Sequence, residues 1–167
     1  MDRNGSSVRT FAAAILITSA QLAAAQVTVL DAWVRGTVEG QTATGAYMKI
    51  KSDTGARLVT VTSPAAARCS VHEMSMSGNV MRMRALDSLP IPAGGTVVLE
   101  EGHDHLMMEG LSHTLKEGDT VRLTLTFVDS NGKKQSVEVQ APVRPLGAPA
   151  PAASSDTGSR HATPMTR

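Results

Sequence analysis

The stretch VRLTLTFVDSNGKKQSVEVQA, residues 121–141, decides the fold class. Val121, Leu123, Leu125 and Phe127 alternate with Arg122, Thr124 and Thr126, the two-residue period of a strand with one face buried. Asp129-Ser130-Asn131-Gly132 supplies turn chemistry, and the alternation resumes from Gln135 to Ala141 through Val137 and Val139. Working outward, strand character covers 27–35, 43–50, 57–62, 67–76, 80–86, 96–101 and 104–108. Glycine or proline punctuates nearly every gap, notably at Pro90, Pro92, Gly94, Gly95 and Gly118. Many short strands at this spacing predict an all-β chain, an antiparallel β-sandwich or barrel.

The two ends read differently. Arg3 and Arg9 form a basic start, Phe11 to Ile17 is apolar, and Ala23-Ala24-Ala25 is a small-residue cleavage site before Gln26. Residues 1–25 are therefore expected to be a signal peptide, and the apolar run is shorter than the roughly 20 residues of a membrane-spanning helix. No cysteine stands directly after this segment, so the expectation is a soluble protein without a membrane anchor, exported to a bacterial periplasm. From about Pro142 the composition shifts to Pro, Ala, Ser, Gly and Thr, which predicts a disordered tail over 143–167. The β-domain is thus expected over 26–142.

Composition narrows the function classes. A formal net charge of +1 in 167 residues, with no Lys/Arg cluster, argues against nucleic acid and anionic membranes as partners. The single cysteine, Cys69, cannot form an internal disulfide, so stability has to come from a core. That core is poor in aromatics, with Trp33, Tyr47 and Phe127 remaining after the signal. Enzyme motifs are missing: His72-Glu73 begins like H-E-x-x-H but ends on Met76, and there is no G-x-S-x-G, Walker or Rossmann glycine pattern. Catalysis is not expected.

Histidine and methionine concentrate instead. Met74, Met76, Met81, Met83, Met107 and Met108 lie between positions 72 and 113, as do His72, His103, His105 and His113. Imidazole with thioether, without thiolate or clustered carboxylate, is a ligand set for a soft cation, and thioethers favour Cu(I) over Zn(II). Ser77-Gly78-Asn79-Val80 has the form of a hairpin tip. A two-residue loop there pairs 77 with 80, 76 with 81, 74 with 83 and 72 with 85. Strand alternation then puts His72, Met74 and Met76 on one face with Met81 and Met83, with His72 diagonal to Met83. His105 and Met107, two apart, also share a face. Thioethers do not protonate, so only the histidines make such a site sensitive to acid.

The spacing His72, ten residues, Met83, twenty-one residues, His105-Leu106-Met107 gives H-x10-M-x21-H-x-M. That pattern resembles the signature of the PCuAC family of periplasmic Cu(I) chaperones. So do the flanking words Ala32-Trp33-Val34-Arg35, Ala43-Thr44-Gly45-Ala46-Tyr47-Met48, Val71-His72-Glu73-Met74, Met81-Arg82-Met83, Leu89-Pro90-Ile91-Pro92-Ala93-Gly94-Gly95 and Gly110-Leu111. The resemblance covers roughly residues 27 to 142. It implies a cupredoxin-like fold and one Cu(I) per chain held by His72, Met83, His105 and Met107. It also implies delivery of copper for the dinuclear centre of a cytochrome oxidase copper subunit, beside a Sco-type thiol protein; the chain itself is expected to be a monomer. The chain departs from the pattern at His103-Asp104, where glycine is more usual. It departs again at Glu109, where a second methionine is common, while Met108 is added.

The remaining candidates have plainer readings. Met74, Met76, Met81 and Met108 are read first as packing, His103-Asp104 as a solvated turn, and His113 as a surface residue. His161 and Met165 belong to the tail, and Trp33 and Tyr47 to the core or to packing beside the site. Cys69-x2-His72-x-Met74 superficially matches a blue-copper loop, but no histidine precedes His72, and alternation points Cys69 away from it. Cys69 is read as a small buried residue. Three other functions compete with a chaperone. They are copper sequestration for tolerance, a metal-independent β-sandwich interaction module, and electron transfer through Cys69.

Overall fold

The computed structural model describes residues 27–147. The predicted signal segment 1–25 and the part of the predicted tail from 148 onward lie outside the described residues. Within them the chain is all-β, as the alternation predicts. The strands are β1 (Val27–Arg35), β2 (Ala43–Ser52), β3 (Ala56–Thr62), β4 (Ala66–Ser77) and β5 (Val80–Leu86), then β6 (Leu89–Ile91), β7 (Gly95–Leu99), β8 (His105–Leu111), β9 (Thr120–Asp129) and β10 (Lys134–Arg144). They run in the order β5-β4-β8-β2-β1-β10-β9-β3-β6, with β7 paired to β2 beyond the end of β8.

The pairings are antiparallel except one. β1 and β10 run parallel through Val34↔Val143 and Arg35↔Arg144 and join the two halves of the sheet. Gly36 makes this join possible. Its N–H donates to the Arg144 carbonyl at 2.7 Å, and a Cβ at Gly36 would lie 2.9 Å from that same oxygen. β10 consequently continues two residues past Pro142, through buried Val143 to Arg144. The short β6 is an edge strand on β3, with Leu89 and Ile91 buried and Pro90 outward, where its missing N–H leaves no ladder bond unmade. Proline made this segment read as punctuation in the sequence.

The inward faces of the two halves meet in one core. Val34, Ala46, Met48, Ile50, Leu106 and Met108 come from one half, and Leu58, Val61, Leu123, Leu125, Phe127, Ala141 and Val143 from the other. This is the two-layered arrangement expected of a cupredoxin-like sandwich, filled almost wholly by aliphatic side chains. Phe127 supplies the aromatic volume at its centre, 1% exposed.

A bulge in β1 sends Trp33 out of the core, to the face where Tyr47 of β2 already points. Leu30 pairs with Lys49 and Trp33 with Tyr47, so Asp31 and Ala32 together oppose one residue of β2. Asp31 adopts the left-handed conformation (φ 53°), which a short polar side chain tolerates, and its carboxylate accepts from Lys49 Nζ at 2.8 Å. The extra residue reverses the alternation downstream. Val34 enters the core, and Trp33 turns to the outer face of the sheet beside Tyr47.

Cys69 pairs with Met108 across β4 and β8 and packs against the core, on the opposite face from His72. Burial pushes its thiol up to about 11. An unfolded chain loses that proton first, so the thiol's contribution to stability is full below about pH 9 and falls as pH rises towards 11. Alkylation of Cys69 in the folded protein at pH 8 should therefore be slow beside the urea-unfolded chain, accelerating only as pH approaches 11. Truncating the central aromatic, Phe127→Ala, should lower the unfolding free energy by about 3–5 kcal/mol in denaturant titrations.

Candidate metal centre

β4 lies between β5 and β8, and its registers to the two decide which side chains meet. Against β5 it pairs Met76↔Met81, Met74↔Met83 and His72↔Ala85, the register predicted from the Gly78-Asn79 turn. Gly78 has a φ of 61°, the left-handed first position that a two-residue hairpin turn of this hand requires. Against β8 it pairs His72↔His105 and Ser70↔Met107. His72 is therefore directly opposite His105, and Met83 and Met107 each occupy a position diagonal to it, in neighbouring strands. Diagonal neighbours stand roughly 7–8 Å apart at the backbone, within reach of long side chains.

Alternation places this group on the outer face of the sheet. Val71, Leu106 and Met108 are buried in the core, while Ser70, His72, His105 and Met107 between them point the other way and are half-buried. Met83, on the edge strand, is exposed. The two imidazole rings approach with centroids 5.9 Å apart and planes inclined at 53°.

Each ring is held by a partner that leaves one nitrogen free. His105 Nδ1 lies 2.8 Å from the His103 carbonyl, so it carries the proton and leaves the lone pair on Nε2. His72 Nε2 lies 3.0 Å from Ser70 Oγ, while its Nδ1 is buried with no hydrogen-bond partner in the protein. One nitrogen of each facing ring, Nδ1 of His72 and Nε2 of His105, thus has no hydrogen-bond partner in the protein. Asp104 braces the end of the site, its carboxylate accepting from the Met74 N–H at 3.3 Å.

The flank beyond Met107 is built by β2 and β1. Met107 pairs with Gly45, whose missing side chain leaves room for the Tyr47 ring; a Cβ there would lie 2.5 Å from the Tyr47 hydroxyl. Tyr47 stacks on Trp33 at 4.5 Å between centroids, Arg35 covers Tyr47 at 5.4 Å and Arg144 covers Trp33 at 5.3 Å. Arg35 also pairs with Glu101. Burial raises the Tyr47 phenol, the Arg35 charge opposes that shift and Glu101 adds to it, so the hydroxyl remains protonated at neutral pH. A cavity of about 230 Å³ opens between this aromatic group and the side chains of His105 and Met107. Trp33 and Tyr47 are thus packing beside the site.

The other candidates separate cleanly. Met108, fully buried, is core. Met76 and Met81 are 69% and 56% exposed and pack against no core, contrary to their first reading. His103 is an exposed turn residue that contributes its carbonyl, and its ring faces Glu100 at 3.3 Å. His113 is exposed beside Ser112. Cys69 faces away from the imidazoles, so the thiolate of a blue-copper site is not available to them. His161 and Met165 lie outside the described residues. Ser70, Asp104 and Gly45 were not foreseen. Ser70 was detectable as the residue two before His72 on the same face, whereas Asp104 and Gly45 depend on pairings between distant strands.

Among the described residues no group of three or more His, Cys, Asp or Glu side chains converges. The donors gathered on the outer face are imidazole nitrogen and thioether sulfur, which suit a soft monovalent cation and not Zn(II), Mg(II) or Ca(II).

Residues 27–143 match the sequence family described as "Putative lipoprotein LpqE-like". The chain is 33% identical over 115 residues to "Putative lipoprotein Lxx21020" of Leifsonia xyli subsp. xyli, a match spanning 68% of this chain and 69% of that one. Among solved structures it resembles the copper-bound PCuAC domain from PmoF2, with a TM-score of 0.58 and 22% identity over 73% of this chain and 96% of that domain. It also resembles CuI-DR1885 from Deinococcus radiodurans, with a TM-score of 0.54 and 32% identity over 76% of this chain and 83% of that one. The first likeness carries the fold, and the second adds sequence similarity over the same domain. It shares its fold with the PCuAC domain of PmoF2, and from its sequence match over residues 27–143 the chain belongs to the LpqE-like family.

Proposed function

We propose that this protein is an exported Cu(I) carrier that holds one ion through His72, Met83, His105 and Met107 and passes it to a copper-receiving protein. The observation that carries this reading is the direct cross-strand pairing of His72 with His105 on an accessible face, flanked by positions 83 and 107. The free nitrogens, Nδ1 of His72 and Nε2 of His105, are the donors on the imidazole side. The His103 carbonyl fixes the tautomer of His105, and Ser70 orients the His72 ring. The copper-bound state reported for the PmoF2 domain and the CuI state of DR1885 support copper as the cargo.

Two neutral imidazoles and two neutral thioethers leave the ion its full positive charge. They compete weakly with any acceptor that offers thiolates. Met83 sits on the exposed edge strand, so release begins there, with an incoming ligand taking the place of its sulfur while the histidines still hold the ion. The acceptor is the dinuclear copper centre of a cytochrome oxidase, with a Sco-type thiol protein as co-worker; the family resemblance supports this choice. Export to the periplasm behind a cleaved signal peptide is part of the same proposal. The lipoprotein description of the relatives supports export. Cys69, packed against the core within β4, is not a residue to which a lipid could be attached in this fold.

Anaerobic Cu(I) competition against a chromophoric chelator tests the site. The purified protein should take one tight equivalent, and the variant His72→Ala, Met83→Ala, His105→Ala, Met107→Ala should lose it. Tight binding that survives all four changes would sink the assignment. For delivery, a deletion strain should lose oxidase activity under copper limitation and regain it with added copper. Normal oxidase activity together with copper sensitivity would point to sequestration instead.

A further inference from the structure

The hairpin of β4 and β5 extends past the core. The last β4 side chain packed into the core is Val71, and Leu86 is the only β5 side chain packed against it. Beyond them the arm presents different chemistry on its two faces. Glu73, Ser75, Arg82 and Arg84 occupy one, with Glu73 and Arg84 joined at 2.9 Å. Met74, Met76, Met81 and Met83 occupy the other, continuous with His72.

Two features set these methionines apart from filler. Met76, Met81 and Met83 are 69%, 56% and 54% exposed, whereas Met48 and Met108 are 2% and 0% exposed. Exposed at that level, a thioether side chain gains little from apolar burial. Register is the second feature. A two-residue turn closes on a hydrogen-bonded pair, here Ser77↔Val80, and the pair types alternate from there. Met76↔Met81 and Met74↔Met83 are therefore both non-hydrogen-bonded pairs, the class in which facing side chains stand closest. Two thioether pairs are stacked along one face, and they lead from the tip to the imidazoles.

We propose that Met76 and Met81, with Met74 as third donor, form a second and weaker site for a soft monovalent cation. Cu(I) lands there before moving down the hairpin to the principal site. The inference rests on the reading of His72, Met83, His105 and Met107 as that principal site. Thioethers select Cu(I) and stay unprotonated, and a site without imidazole or thiolate exchanges its ion more readily than one that has it. Met83 faces Met74 and lies diagonal to His72, so it borders both sites, and an ion can pass from one to the other without entering solvent.

The test is an anaerobic Cu(I) titration of the full chain, read from the 13C-labelled methyl signals of its methionines. The first equivalent should shift Met83 and Met107, and the second should shift Met76, Met81 and Met74. In Met76→Leu, Met81→Leu, which keeps the apolar surface but removes two sulfurs, the first equivalent should bind unchanged and the second should be lost. A second equivalent that leaves the tip methyls unmoved overturns the proposal, as does one that the leucine variant still takes up. The same holds if wild-type protein takes no second equivalent, the behaviour of a patch that serves only as a protein contact. A first equivalent that leaves Met83 and Met107 unmoved overturns the principal site instead, and the tip methyls then report on their own site separately.

Discussion

β4 is held in register on both edges at once, and the exposed face of the protein depends on that constraint. On one side the Gly78-Asn79 turn sets its pairing with β5. On the other, burial of Val71, Leu106 and Met108 sets its pairing with β8. Side chains alternate with a period of two, so a slip of one residue at either edge would send His72 into the core and Val71 into solvent. The core thus positions the site without contributing a donor to it. Aliphatic packing on the inner face is the reason that two imidazoles stand opposite each other on the outer one.

The same logic explains where the few aromatic residues sit. A bulge at Asp31 moves Trp33 out of phase with the core, and Gly45 leaves space for Tyr47 beside Met107. The two rings and their covering arginines wall one side of the donor group, while the methionine hairpin leaves the other side open. One flank carries the stacked rings, with a cavity between Tyr47 and the side chains of His105 and Met107, and the other is the exposed methionine hairpin.

What the sequence made legible was local. The alternation of 121–141 predicted β9 and β10, and the hairpin register down to His72↔Ala85 followed from a four-residue turn motif. The family pattern named four residues, and the structure brings His72 and His105 together with positions 83 and 107 on either side. The pairing of β4 with β8 was not legible, because nothing near His72 specifies which distant strand lies beside it. The parallel join of β1 to β10 and the bulge in β1 were hidden for the same reason. Composition could not tell the buried Met108 from the exposed Met81, since burial belongs to the sheet and not to the residue type.

The edge position of β5 has a consequence for motion. β5 is bonded along one side only, and Leu86 alone among its side chains is packed against the core. It can therefore peel away in a local opening that leaves the rest of the sheet intact, at a free energy well below that of global unfolding. His72, His105 and Met107 stand on strands paired on both sides, whereas Met83 stands on the one that frays. For the ligand set proposed above, the grip is thereby divided between a fixed jaw and a loose one, and thermal motion of a single strand is enough to open it.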